Sequence, residues 1–208
     1  MINPQQGQKK RYNFVFGFIG VNRSGKSVTA RKIADSWRLT RDPNRFKIVS
    51  FDPQARFRDI TDYFIDIEDE DYCIKLSKTK RKLVILDDLR LKSESDTPPK
   101  GLRSLLINRA ENNVDIMYIC HNPADVFNSL CRLTTHWFIF PVSEQDGGFK
   151  KKIPCYAECK AAANKVNDYV RDIDTTKLYP NFPYVVVTER TKKIQAYNFD
   201  TNINRFRK

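Results

Sequence analysis

Residues 20–27 read Gly20-Val21-Asn22-Arg23-Ser24-Gly25-Lys26-Ser27, which satisfies G-x-x-x-x-G-K-[ST] at every fixed position. A loop of this kind wraps phosphates with its backbone N–H groups, and small residues such as Gly20 and Gly25 allow the conformations that wrapping needs. Lys26 would reach the β- and γ-phosphates of a nucleoside triphosphate, expected to be ATP, and the Ser27 hydroxyl would take Mg²⁺. Val28 opens the following segment, where a helix N-terminus would add its positive dipole end. The bland alternative is a glycine-containing turn before an amphipathic helix. The full spacing and the flanking pattern both weigh against it.

Two carboxylates follow at a suggestive place. Leu83-Val84-Ile85-Leu86 is an unbroken apolar run, the mark of a buried parallel strand, and it closes on Asp87-Asp88. Asp87 is thereby presented to Mg²⁺ at the carboxyl edge of a sheet, and Asp88 could orient and deprotonate the water that attacks the γ-phosphate. Either acid could instead simply open a polar loop. Asn122 follows the apolar strand Ile116–Ile119 and would lie beside the γ-phosphate if that strand is inserted between the two motif-bearing strands. His121 could do this instead, and an Asx-Pro turn at Asn122-Pro123 needs no function at all. On a helix starting at Leu102, positions 102, 105, 106 and 109 share one face, so Arg109 lies in line with leucines and must find an anion. That anion is a carboxylate of its own fold or, across a subunit boundary, a neighbour's γ-phosphate.

These residues need strands and helices in alternation to position them. Phe14–Ile19 reads as a strand and Val28–Leu39 as a helix, with Ala30, Ile33, Ala34 and Trp37 at helical spacing. Strands are expected at 46–51, 83–86, 114–120 and 136–140, and helices at 102–112, 124–132 and 157–171. Residues 184–188 and 194–199 read as a hairpin around Arg190-Thr191-Lys192-Lys193. Residues 54–80 show no clear period, and 63–67 fits either a short strand or the edge of a helix. The expected architecture is an α/β P-loop NTPase of the RecA/ASCE-like kind. Its mostly parallel sheet is flanked by helices and closed by a C-terminal β-hairpin. Residues 1–11 read as a flexible N-terminal arm ahead of one ATPase domain spanning 12–208.

Composition bounds the partners. The chain has 208 residues and a formal net charge of +12, although residues 66–71 are strongly acidic. Such an excess suits a polyanion such as nucleic acid, though solvated lysines alone would also produce it. No apolar run is long enough to span a bilayer, and the polar first ten residues do not read as a secretory signal. Five cysteines, an odd number, fit reduced thiols and a cytoplasmic location. Cys155 and Cys159 have the spacing of half a metal site, but His121 and His136, the two histidines, lie away from them.

Taken together, these features resemble the FtsK-HerA superfamily of P-loop motor ATPases. Within it they are most similar to the genome-packaging ATPases of tailless, membrane-containing icosahedral viruses. The resemblance rests on GVNRSGKS as Walker A, Phe51-Asp52-Pro53 ending a strand, LVILDDL as Walker B and Asn108-Arg109 ahead of the sensor strand. It also rests on the polar end of YICHN and the hairpin YVVVTERTKKIQAYNF. It implies Lys26 and Ser27 on phosphate and Mg²⁺, Asp87 on Mg²⁺, Asp88 as the catalytic acid, Asn122 as the sensor and Arg109 as an arginine finger. The family usually carries Glu at the position of Asp88 and often Gln at that of Asn122, so another acid such as Glu94 could serve. The implied activity is ATP-driven translocation of DNA, double-stranded in the packaging case, by a homo-oligomeric ring. Lys150–Lys152 and Arg190–Lys193 are candidates for phosphate contact. Capsid vertex proteins are conceivable partners, in host cytoplasm or on the virion. Two other functions are open on the residues alone: a nucleotide or small-molecule kinase, and a nucleotide-gated assembly protein. Other ATPases of the superfamily serve conjugation or phage export.

Overall fold

The computed structural model describes residues 13–88, 97–143, 153–171 and 182–199. In chain order these form β1 (Val15–Ile19), α1 (Lys26–Leu39), β2 (Lys47–Phe51), β3 (Tyr63–Phe64), α2 (Glu70–Lys78), β4 (Lys82–Leu86) and α3 (Lys100–Asn108). They continue with β5 (Val114–Cys120), α4 (Asn128–Leu133), β6 (His136–Ile139), α5 (Tyr156–Arg171), β7 (Tyr184–Thr188) and β8 (Lys193–Tyr197).

All eight strands join one sheet in the order β3-β2-β4-β5-β1-β6-β7-β8. The pairs from β3 to β6 are parallel, and β7 and β8 add antiparallel to the far edge as a hairpin. This is the mostly parallel P-loop sheet expected from the sequence. β5 lies between β1 and β4, with Phe16 opposite Met117 on one side and Ile85 opposite Met117 on the other. The carboxyl ends of β1, β2, β4 and β5 therefore open onto one edge.

The two faces of the sheet are covered unequally. Alternate strand residues Phe18, Ile48, Leu83, Ile85, Met117 and Ile119 pack against Ala30, Ala34 and Trp37 of α1. The opposite set, including Val15, Val84, Ile116, Tyr118 and Trp137, packs with residues of the other four helices. Alternation in β1 also explains a tight crossing between strands. A Cβ added to Gly17 would lie 2.4 Å from Tyr118 Oη, and that hydroxyl is hydrogen-bonded to Thr134 Oγ1 at 2.8 Å. Tyr118 is fully buried, and burial pushes its phenol above the usual range.

Residues 54–80, unreadable by period, contain a single 3₁₀ turn (Arg58–Ile60), the two-residue β3 and the short α2. The acidic run serves local purposes there. Asp66 Oδ1 accepts from Glu68 N, Asp69 caps α2 by accepting from Tyr72 N at 2.9 Å, and Glu70 and Asp71 fill its first turn. Acids in these positions complement the helix dipole.

One buried acid holds α1 to the sheet. Asp115, fully buried on β5, accepts from Trp37 Nε1 at 2.7 Å and from the backbone N–H of Phe14 at 3.0 Å. Arg41 reaches the same carboxylate at 3.4 Å, and its guanidinium carbon lies 4.3 Å from the centroid of the Trp37 ring. Asp115→Ala leaves the buried Trp37 Nε1 and the half-buried Phe14 N–H without this acceptor and is expected to cost about 2 to 5 kcal/mol. Urea unfolding of the variant beside the parent chain checks this; a loss under about 0.5 kcal/mol, the size typical of a surface change, would show that Asp115 is not a tie.

Candidate nucleotide site

The loop between β1 and α1 turns at Gly25, whose φ of 90° lies in the left-handed region open to glycine. The space over Gly25 is closed as well, since a Cβ there would meet the Phe182 ring at 2.3 Å. Residues 22–28 line a cavity of about 660 Å³, together with Arg31, Arg56, His121 and Phe182.

Lys26 is almost entirely buried. Its ammonium donates to the carbonyls of Gly20 and Val21 at 2.6 Å each and lies 3.5 Å from His121 Nδ1. Desolvation lowers its pKa to about 8.

Asp87 is fully buried at the end of β4, where its backbone N–H donates to Phe51 O and its Oδ1 accepts from Asp88 N at 3.0 Å. Burial pushes its carboxyl up to about 6, while Arg56 beside it works in the opposite direction. Arg56 Nη1 lies 3.5 Å from Asp87 Oδ2 and 3.2 Å from Ser27 Oγ. The Ser27 hydroxyl and the Asp87 carboxylate thus converge on a single cationic nitrogen. Two hard oxygen donors around a cation position, one of them a buried carboxylate, fit Mg²⁺.

Asp88 has a left-handed backbone, φ 52°. Its Oδ1 lies 3.4 Å from His121 Nε2, and its Oδ2 accepts from Gln54 Nε2 at 3.4 Å. His121 therefore spans the site, with one ring nitrogen near Lys26 and the other near Asp88. The inserted position of β5 is what carries His121 there.

Asn122 stands differently from its expected place beside the phosphate. Its Oδ1 accepts from Ala124 N at 2.8 Å and caps the turn Pro123–Asp125, so the Asx-Pro geometry engages the side chain. The residue one position earlier lines the cavity instead.

Arg109 caps the far end of α3, and its face is as the spacing implied, because Leu102, Leu105 and Leu106 are all buried. In place of a carboxylate it finds a backbone oxygen, with Nη1 donating to Leu106 O at 2.8 Å. Its Nε is buried without a hydrogen-bond partner, and burial lowers its pKa. Its carbonyl accepts from Val114 N, at the beginning of β5. Arg109 therefore lies at the amino edge of the sheet, a strand's length from the loop at 20–27, roughly 17 Å or more.

Arg56 and Phe182 escaped sequence reasoning. Arg56 follows the Asp52-Pro53 turn that ends β2, and a loop leaving the carboxyl end of a parallel strand is a recognisable signal for ligand contact. Phe182 precedes β7 by two residues, and only the hairpin's docking brings it over Gly25. Glu94 and Lys150–Lys152 lie outside the described residues. Of the basic hairpin turn, Lys192 donates to Pro154 O at 2.8 Å and pairs with Glu189 at 3.9 Å. Cys155 and Cys159 face each other in the core, their sulfurs 3.5 Å apart. Among the described residues no group of three or more His, Cys, Asp or Glu could hold a metal. No helix among them is long and apolar enough to cross a membrane.

A parallel sheet with β5 inserted between the strands bearing the phosphate loop and the paired acids defines a P-loop NTPase fold. Solved structures share it. The chain is similar to B204, the DNA-packaging ATPase from Sulfolobus turreted icosahedral virus, with a TM-score of 0.62 at 12% identity over 88% of this chain and 96% of that one. It is similar to the genome packaging NTPase B204 from Sulfolobus turreted icosahedral virus 2 in complex with ATP-gammaS, with a TM-score of 0.61 at 13% identity over 89% and 96%. It also resembles the cytoplasmic domain of the type VII secretion ATPase EccC from Thermomonospora curvata, with a TM-score of 0.58 at 10% identity. That match covers 89% of this chain and 23% of EccC. At these identities the likeness is one of fold, and it bears out the resemblance drawn from the sequence at that level. No protein-family model matches the sequence, and no curated protein matches it.

Proposed function

We propose that the chain is an ATP-hydrolysing DNA translocase that works as a homo-oligomeric ring and packages a viral genome. The observation that carries this reading is the convergence of Lys26, Ser27, Asp87, Asp88 and His121 on one sheet edge through the insertion of β5. The fold shared with two viral packaging ATPases supports the cargo, as does a net charge of +12.

Backbone N–H groups of residues 20–27 bind the phosphates, and Lys26 exchanges the carbonyls of Gly20 and Val21 for phosphate oxygens. Ser27 and Asp87 would hold Mg²⁺, which neutralises charge on the β- and γ-phosphates. Asp88 accepts the proton of the attacking water, and His121 holds that carboxylate in place. Asn122 shapes the turn that presents His121. Arg109 lies too far from its own site to act there, so in the ring it serves a neighbouring subunit's γ-phosphate.

The test is steady-state ATP turnover by the purified full chain with and without double-stranded DNA, alongside electron micrographs with an ATP analogue. Turnover stimulated severalfold by DNA, together with ring particles, is the expected result. A chain that binds ATP but does not hydrolyse it, or one that phosphorylates a nucleoside monophosphate, would overturn the motor reading.

A further inference from the structure

The guanidinium of Arg56 occupies the point where the site's two metal-type oxygens meet. Its Nη1 donates to Ser27 Oγ at 3.2 Å and lies 3.5 Å from Asp87 Oδ2, while its Nη2 donates to Gln54 Oε1. Gln54 in turn donates to Asp88 Oδ2 at 3.4 Å. One short loop thus touches the hydroxyl of the phosphate loop and both acids that follow β4.

That loop is built rather than draped. Asp52 Oδ2 accepts from Phe57 N at 2.6 Å, and Asp52 O accepts from Ala55 N at 3.1 Å. Ala55 sits at φ 54°, and the fully buried Phe57 anchors the end of the loop in the α1 side of the core. Arg56 is held between the Pro53 turn and that anchor, with its side chain directed along the carboxyl edge.

Ser27 and Asp87, which would hold Mg²⁺, both face Arg56 Nη1, and two cations at that point would repel. With a metal held there, the Arg56 guanidinium would have to leave its present position. A terminal phosphate bound by Lys26 and approached by water from Asp88 would lie within a side-chain swing of that position. The planar fork of an arginine suits two phosphate oxygens, as a lysine's point charge does not.

We propose that Arg56 is a γ-phosphate ligand supplied by the same subunit, which makes the 52–57 loop the element that distinguishes a bound triphosphate from a diphosphate. This rests on reading residues 20–27 with Asp87 as the Mg-nucleotide site.

Equilibrium binding of fluorescent ATPγS and ADP analogues in Mg²⁺ buffer tests it, using the full chain, Arg56→Ala, Arg56→Lys and Lys26→Ala. Loss of a charge-assisted pair to phosphate corresponds to about a tenfold to hundredfold weaker affinity. Arg56→Ala is expected to weaken ATPγS by at least about tenfold and to leave ADP within about twofold, with Arg56→Lys in between. Equal weakening of both nucleotides, or of neither, would overturn the assignment. Melting curves of the Arg56 variants guard against misfolding, and the lysine variant, which keeps the charge, supplies the second measurement. If Lys26→Ala weakens neither nucleotide, the failure lies in the site reading and not in Arg56.

Discussion

Replacing Lys26 by alanine is expected to abolish ATP turnover, lowering it at least about a hundredfold, with no loss of thermal stability. The catalytic part follows from position. The ammonium is held at the mouth of the phosphate loop by two carbonyls of that loop and stands beside His121. Among the described residues Lys26 is the lysine that lines the cavity, and its charge is the one set beside the phosphate loop. The stability part follows from burial. Desolvation depresses the Lys26 pKa from its ordinary value to about 8, so at neutral pH the folded chain bears a cost for keeping this group charged. That cost is fully present below pH 8 and disappears as pH rises toward the unfolded value, and alanine, which has no charge to desolvate, does not bear it. Turnover and melting temperature measured on the same preparation check both halves. An inactive variant that also melts well below the parent chain would mean that activity was lost through misfolding.

Asp88→Asn should bind ATPγS with nearly unchanged affinity and yet turn ATP over about 10²- to 10⁴-fold more slowly. Asparagine is the appropriate substitution because of the backbone. At φ 52° residue 88 occupies the left-handed region, which Asp and Asn tolerate and longer side chains resist. The fold should therefore survive, and the amide can still meet Gln54 and His121, but it cannot accept a proton from water. The same conformation gives a physical reason for aspartate at a position where the resembled family usually carries glutamate. Asp88→Glu is accordingly expected to recover only part of the activity, since its extra methylene must be accommodated on a strained backbone. Single-turnover kinetics separate the chemical step from binding. If Asp88→Asn hydrolysed ATP at the parent rate, the base would have to be another acid.

The phosphate loop was legible because its chemistry is local. Its small residues, its lysine and its hydroxyl are consecutive, and the flanking strand and helix announce themselves by apolar runs. Asp87 was legible for the same reason, at the end of a fully buried strand. The inserted position of β5 appeared only as a condition, because strand order depends on crossovers that no local pattern encodes.

The parts of the site that local patterns left open all depend on that tertiary layer. His121 and Asn122 are adjacent and both polar. Which one faces the cavity was decided by a turn, in which Asn122 accepts from Ala124 N and leaves His121 turned toward Lys26. Arg56 belongs to a segment whose elements are too short for any period: β3 has two residues, both exposed, and α2 has nine. The acidic run between them looked like a charge feature and proved to be capping chemistry. Arg109 was placed correctly on its leucine stripe, but its distance from the phosphate loop emerged only from the direction of β5.

The contact between Gly17 and Tyr118 bears on how this chain can change over generations. The hydroxyl of Tyr118 stands where a Cβ on residue 17 would be, and it is tied to Thr134. A larger residue at 17 is admissible only if 118 has already shed its hydroxyl or its ring, and the intermediate with both side chains present is overpacked. Positions 17 and 118 are therefore inherited as one trait. In relatives of this chain, a side chain at position 17 and a tyrosine at position 118 should exclude one another.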